Sequence, residues 1–145
     1  MITVRQASPV DTDQLALLNQ AFNGVEHGSL RIRQSLLATS SPETVLVAEE
    51  AGTLIGFLCL QTLRSMCYDA PWVEITELYV APSHRGRGTG QDLVREAEAR
   101  AANAGAAELI LRTNRENGPA QRLVSRIGLD LAPQMVFRRV YAGSV

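Results

Sequence analysis

Apolar and polar positions along the chain fall into short stretches of two kinds, some with period two and some with apolar residues three and four apart. Ile2 to Arg5 has the first pattern and predicts a short strand. Ser8 or Asp11 is placed to cap a helix whose apolar side carries Leu15, Leu18 and Phe22, and a second helix is expected over Leu30 to Ala38. SSPE at 40–43 ends that helix and opens a strand over Thr44 to Glu49. The turn pair Ala51-Gly52 then predicts a hairpin whose return strand runs from Thr53 to Leu63. After the loop SMCYDAP comes a strand over Trp72 to Val80, followed by the glycine-rich run HRGRGTG at 84–90.

Beyond that loop, Leu93, Val94, Ala97 and Ala101 line one side of a long helix that Gly105 terminates. A strand is expected over Glu108 to Thr113. Asn117 with Pro119 behind it starts another helix, which passes through Leu123 and Val124 and stops at Gly128. A last strand is expected over Met135 to Tyr141. The resulting order, strand, two helices, three strands, helix, strand, helix, strand, predicts an α/β chain with a mixed sheet layered by helices. No repeat, low-complexity tract or linker interrupts it, so residues 1–145 are expected to form one domain.

Composition narrows the chemistry. Fourteen basic against fifteen acidic residues give a formal charge of -1, which offers no chain-wide attraction for nucleic acid or an anionic membrane. Every basic residue is arginine, so a Walker lysine and a lysine Schiff base are both excluded. Cys59 and Cys67 fit neither a disulfide framework nor a zinc spacing, no metal site is expected, and the N-terminus lacks the basic and apolar regions of a signal peptide. The expected location is the cytoplasm.

A strand, a glycine loop and a helix together favour an anion, because backbone N–H groups at a helix start converge on it and the helix dipole adds partial positive charge. Arg85 and Arg87 add bidentate reach to phosphate oxygens. The loop lacks the lysine and hydroxyl pair of a Walker motif. It also lacks the final spacing of a dinucleotide fingerprint, and no acidic strand end is evident about twenty residues later.

What remains is R-x-x-G-x-G, formed by Arg85, Gly88 and Gly90, and here the chain resembles the GNAT superfamily of N-acetyltransferases. The likeness extends to Leu78, Tyr79, Val80 and Pro82 before the loop, to Asn117 and Ala120 beyond it, and to the helix stop Gly128-Leu129. It implies a mostly antiparallel central sheet flanked by helices, and acetyl-CoA as co-substrate. It further implies that the backbone of Arg85, Gly86, Arg87, Gly88, Thr89 and Gly90 cradles the pyrophosphate. Leu78, Tyr79 and Val80 would lie along the pantetheine arm, with Val80 pairing its backbone with it, and Asn117 and Ala120 would approach from the next helix. The reaction implied is transfer of an acetyl group to a primary amine of a small molecule or peptide, with a non-catalytic acyl-CoA-binding regulatory domain as the alternative. A homodimer is compatible with the resemblance.

Such a transfer needs a base for the amine, a polarised thioester carbonyl and an acid for the leaving thiolate. Glu74 and Glu77 are the two carboxylates of the strand before the loop, and their odd spacing sends them to opposite faces unless a bulge intervenes. On that parity Glu74 shares a face with Thr76, Leu78 and Val80 and is the favoured base, while Glu77 shares one with Val73, Ile75 and Tyr79. Many relatives carry a tyrosine acid four residues before the helix-stop glycine, where this chain has Val124. Ser125, Tyr68, Tyr79 and Tyr141 remain alternatives, as do water and simple departure of the thiolate. The acceptor side is expected around Phe22 to Leu30 and Ser65 to Trp72, where Phe22, Tyr68 and Trp72 offer aromatic surface and Glu26 and Asp69 attract an ammonium group. Cys59 is expected in the core, Cys67 in a loop without a nucleophilic role, and His84 and His27 at the surface.

Overall fold

The computed structural model describes residues 1–24, 28–38 and 40–142. It divides into two compact units, residues 1–114 and 115–145. The first is built on a five-stranded sheet in sequential order: β1 (Ile2–Gln6), β2 (Glu43–Glu50), β3 (Thr53–Leu63), β4 (Trp72–Val80) and β5 (Leu109–Leu111). All pairings are antiparallel except the last, β4 with β5, which is parallel. A parallel neighbour needs a crossover, and the long helix α3 (Thr89–Asn103) supplies it. The β2–β3 hairpin turns at Ala51 and Gly52, both with positive φ. Two shorter helices, α1 (Thr12–Asn23) and α2 (Ser29–Leu37), precede β2.

Helices cover both faces. On one, Leu15 and Leu18 of α1 and Ile32 and Leu36 of α2 pack on Val45, Val47, Phe57 and Tyr79 of the sheet. On the other, α3 packs on β1 to β4 and turns Leu93, Val94, Ala97 and Ala101 inward. β3 is therefore buried on both sides, which explains why LIGFLCL reads as an unbroken apolar run instead of an alternation. Gly56 within it is required by a close approach: a Cβ there would stand 2.7 Å from the carbonyl oxygen of Tyr79. An ionic staple ties the first strand to the first helix. Arg5 donates to both oxygens of the buried Asp11 (2.8 and 2.9 Å) and, through Nε, to Glu49 at 2.9 Å. Asp11 also accepts the backbone N–H of Ser8, which fixes the entry to α1.

The second unit contains α4 (Gly118–Arg126), capped by Asn117, whose Oδ1 accepts from the N–H of Ala120 at 3.2 Å. Met135 to Tyr141, expected as a strand, forms none: the residues alternate as a strand would, but no ladder pairs them among the described residues. Glu26 and His27 lie outside the described residues.

Candidate active site

The site is organised by β4, and its shape follows from two departures from regular pairing. The first is a bulge. Glu77 lies opposite Cys59, whereas Ile75 lies opposite Leu60, so Thr76 is an extra residue on β4. This corrects the parity expected from the sequence. Glu74 opposes Gln61 and Glu77 opposes Cys59, and those two partners, two residues apart on β3, share a face. Both glutamates therefore point to the side covered by α1 and α2, together with Tyr79, while Val73 and Ile75 lie on the α3 side with Leu60.

The second departure is a missing edge. β4 pairs with β5 only over Val73, Glu74 and Ile75, leaving the rest of that edge without a β5 partner. The N–H of Ala81 donates inward to Ile55 of β3 at 2.8 Å. Because successive backbone groups alternate sides along a strand, the N–H groups of Leu78 and Val80 point outward, to the edge β5 has left. The carbonyl of Val80 points the same way and accepts the Nε–H of Arg85 at 2.7 Å. The Arg85 guanidinium also lies over the Tyr79 ring, 5.4 Å from its centroid. Arg85 thus anchors the loop that follows to the end of β4.

Gly86 and Gly88 have φ of 77° and 86°, a left-handed backbone that a side chain would strain. Gly88 is the N-cap of α3, and no side chain caps the helix start. Its first N–H groups, from Thr89 onward, are thus left to whatever faces the loop. Thr89 Oγ1 is buried and has no hydrogen-bond partner among the described residues. Arg87 and His84 both reach Glu50, at 2.9 and 3.2 Å, so His84 is bound to the β2–β3 hairpin end and not merely solvated. An uncapped helix start, glycines that bring the backbone close and two exposed arginines suit a phosphate group, and the outward N–H groups of Leu78 and Val80 suit an amide-bearing chain laid beside β4.

On the α1–α2 side lies a cavity of about 360 Å³. Its sheet wall includes Glu43, Val45, Phe57, Cys59 and Glu77, and its helical wall includes Asn19, Asn23, Arg31 and Ser35. Glu77 accepts a short hydrogen bond from the hydroxyl of the bulged Thr76. Glu74 does not line this cavity: its side chain, 14% exposed, pairs with Arg112 at 2.9 Å. Burial, reinforced by the charge of Glu77, raises the pKa of Glu43 above the ordinary glutamate value. Burial, followed by Glu43 and Glu77, pushes the Cys59 thiol up as well, so it stays protonated and inert, as expected of a core cysteine.

Sequence reasoning missed Glu43, whose place opposite Gln61 puts it on the cavity side of β2. The sequence gives no local signal for it, because it sits at the start of a strand next to a turn. Of the aromatic residues expected around the acceptor, Phe22 stacks edge-on against Phe57 with centroids 5.8 Å apart, while Tyr68 and Asp69 are exposed in the loop before β4. Leu78 to Gly90 form one continuous set in the first unit. Asn117 and Ala120 lie in the second unit, as do Val124 and Ser125 of α4 and Tyr141.

A mycothiol acetyltransferase from Nocardia farcinica (strain IFM 10152) is 34% identical over 166 aligned positions, covering 98% of this chain and 52% of the relative. The chain thus spans about half the length of that relative. The fold is that of a ribosomal-protein-alanine N-acetyltransferase from Brucella melitensis biovar Abortus 2308, with a TM-score of 0.84 at 18% identity over 98% of this chain and 100% of the other. It is equally that of the aminoglycoside N-acetyltransferase AAC(6')-Iy in complex with CoA, with a TM-score of 0.84 at 21% identity over 97% of this chain and 95% of the other. Residues 13–129, from the start of α1 to just past the end of α4, match the acetyltransferase (GNAT) family, and the chain belongs to that family.

Proposed function

We propose that the chain transfers an acetyl group from acetyl-CoA to a primary amine held in the cavity under α1 and α2, with Glu77 as the residue that takes up the amine's proton. The observation that carries this reading is the bulge at Thr76, which brings Glu77 into the cavity wall while the same strand, three residues later, turns the Val80 N–H to the open edge. Base and carbonyl-polarising donor thus come from one rigid element.

Arg85, Arg87 and the backbone from Gly86 to Gly90 would hold the pyrophosphate. Leu78 would pair with a pantetheine amide through its outward N–H group, leaving that of Val80 for the thioester carbonyl, and Asn117 and Ala120 would contribute from the second unit. Glu77 removes one proton from the acceptor ammonium. The neutral amine then attacks the thioester carbonyl, whose developing oxyanion the Val80 N–H stabilises. No side chain is assigned as acid for the thiolate: Val124 holds the position where the family resemblance would put a tyrosine, and a second proton of the amine is sufficient to balance the departing thiolate. Glu74, paired with Arg112, positions β4 and is not given the proton-transfer role.

A small-molecule amine fits the cavity volume better than a folded protein surface does, and the named relatives include enzymes of small molecules and of a ribosomal protein alike. Calorimetric titration with acetyl-CoA, followed by thiol release across a panel of amines, tests the proposal. Binding at an affinity on the order of micromolar with amine-dependent turnover is the expected result. Binding without turnover on any amine would favour a non-catalytic acyl-CoA-binding domain, and no binding would remove both readings.

A further inference from the structure

We propose that Glu43 and Glu77 form one coupled carboxylate pair, and that the acceptor's proton is received by the pair. This rests on the cavity reading above and adds Glu43 to it as a positioning residue that acts through Glu77.

The geometry begins with strand register. Glu43 opposes Gln61, Val45 opposes Cys59, and Cys59 opposes Glu77, so Glu43 and Glu77 approach the same cavity wall from the two strands flanking β3. Glu43 and Glu77 each bring a carboxylate oxygen, and Cys59 its sulfur, within 4.8 Å of one another. The groups facing the pair are few. Cys59, from β3, is neutral, α1 contributes Asn19 and Asn23 without charge, and α2 contributes Arg31 from an exposed position. Glu74 shares the face, but Arg112 holds it. No described cation bridges the two carboxylates.

Two like charges this close in a half-buried wall disfavour full ionisation, and protons then leave the two groups in steps that belong to both. The upward shift of Glu43, caused by burial and then by Glu77, has the direction this coupling requires. A lone, ordinary carboxylate is a weak acceptor for an ammonium proton at neutral pH. A second negative charge beside a carboxylate favours its protonated form. Of the three ammonium protons one passes to a carboxylate oxygen of the pair, the N–C bond forms as the C–S bond breaks, a second nitrogen proton ends on the thiolate, and the third stays on the amide product. The pair then returns its proton to solvent.

The test is a pH titration of the glutamate carboxyl carbons by NMR in the whole chain, for the wild type and Glu77→Gln. Glu43 is expected to titrate above the ordinary glutamate range in the wild type and to fall by about one pH unit in Glu77→Gln. An unchanged Glu43 midpoint would overturn the pair whether or not the protein turns over. With an active amine, Glu43→Gln is expected to move the acid limb of kcat/KM to lower pH and to lower its plateau roughly tenfold, with Glu43→Asp restoring the limb. A lower plateau with an unmoved limb would reduce Glu43 to a packing role. Absence of turnover on every amine would remove the proposed activity while the titration still decides the pair.

Discussion

Glu77 stands directly across from Cys59, and Glu74, three residues earlier, stands across from Gln61, so an odd spacing along β4 becomes an even one across the sheet. One unpaired residue, Thr76, makes the difference. The two glutamates thereby share a face but not an environment: one lines a cavity, the other is bound to Arg112.

Glu77→Gln is expected to lower kcat by roughly 10²- to 10⁴-fold while leaving acetyl-CoA affinity unchanged. Steady-state kinetics beside a direct binding titration separates the two effects. Loss of cofactor binding in this variant would mean that Glu77 supports the strand and not the proton transfer.

For Glu74→Gln the expectation is the reverse emphasis. Its partner Arg112 is 65% exposed, so the pair contributes less than about 1 kcal/mol, and kcat should change by less than about tenfold. A hundredfold fall in kcat with intact binding and an unchanged melting temperature would transfer the base role to Glu74.

Gly56→Ala forces a methyl group against the Tyr79 carbonyl, a backbone atom that cannot rotate away. Destabilisation of about 1–3 kcal/mol is expected from denaturant unfolding. Acetyl-CoA affinity should fall with it, since β4 must shift where Val80 lies. An equally destabilising core change on the α3 side, such as Leu93→Ala, should leave that affinity intact.

Acid stability should depend on Asp11. Its pKa is lowered, chiefly by hydrogen bonds from the Arg5 guanidinium and against the opposing effect of burial. The folded state therefore binds that proton less readily than the unfolded state. Its contribution is complete above the unfolded-state value of about 4 and is lost as pH falls through the folded-state value. Thermal melts of Asp11→Asn should be less stable than wild type at neutral pH and should converge with it below about pH 4. Parallel curves would show that the Arg5 contacts do not couple to titration.

Much of this was readable in the chain. The strands, the hairpin at Ala51-Gly52, the inward face of α3 and the glycine loop all follow from local pattern and backbone preference, which act within a few residues. What escaped depends on partners. The bulge exists only relative to β3, so parity counted along β4 alone placed Glu74 and Glu77 on opposite faces. Glu43 entered the cavity wall because β2 is registered beside β3, with Glu43 opposite Gln61 and Val45 opposite Cys59, a relation between distant residues and not a local motif. Met135 to Tyr141 shows the converse: alternation prepares a strand, but only a ladder makes one.

The early end of β4–β5 pairing has a consequence for exchange kinetics. The amides of Tyr79 and Val80 are adjacent in a well-packed strand, yet one points to β3 and the other to the vacated edge. Hydrogen–deuterium exchange should therefore split them, slow at Tyr79 and fast at Val80, within a strand that opens as a unit only on global unfolding. A chain laid along that edge would slow Val80 and Leu78 and leave Tyr79 as it was. The strand thus carries its own occupancy gauge, read one amide at a time.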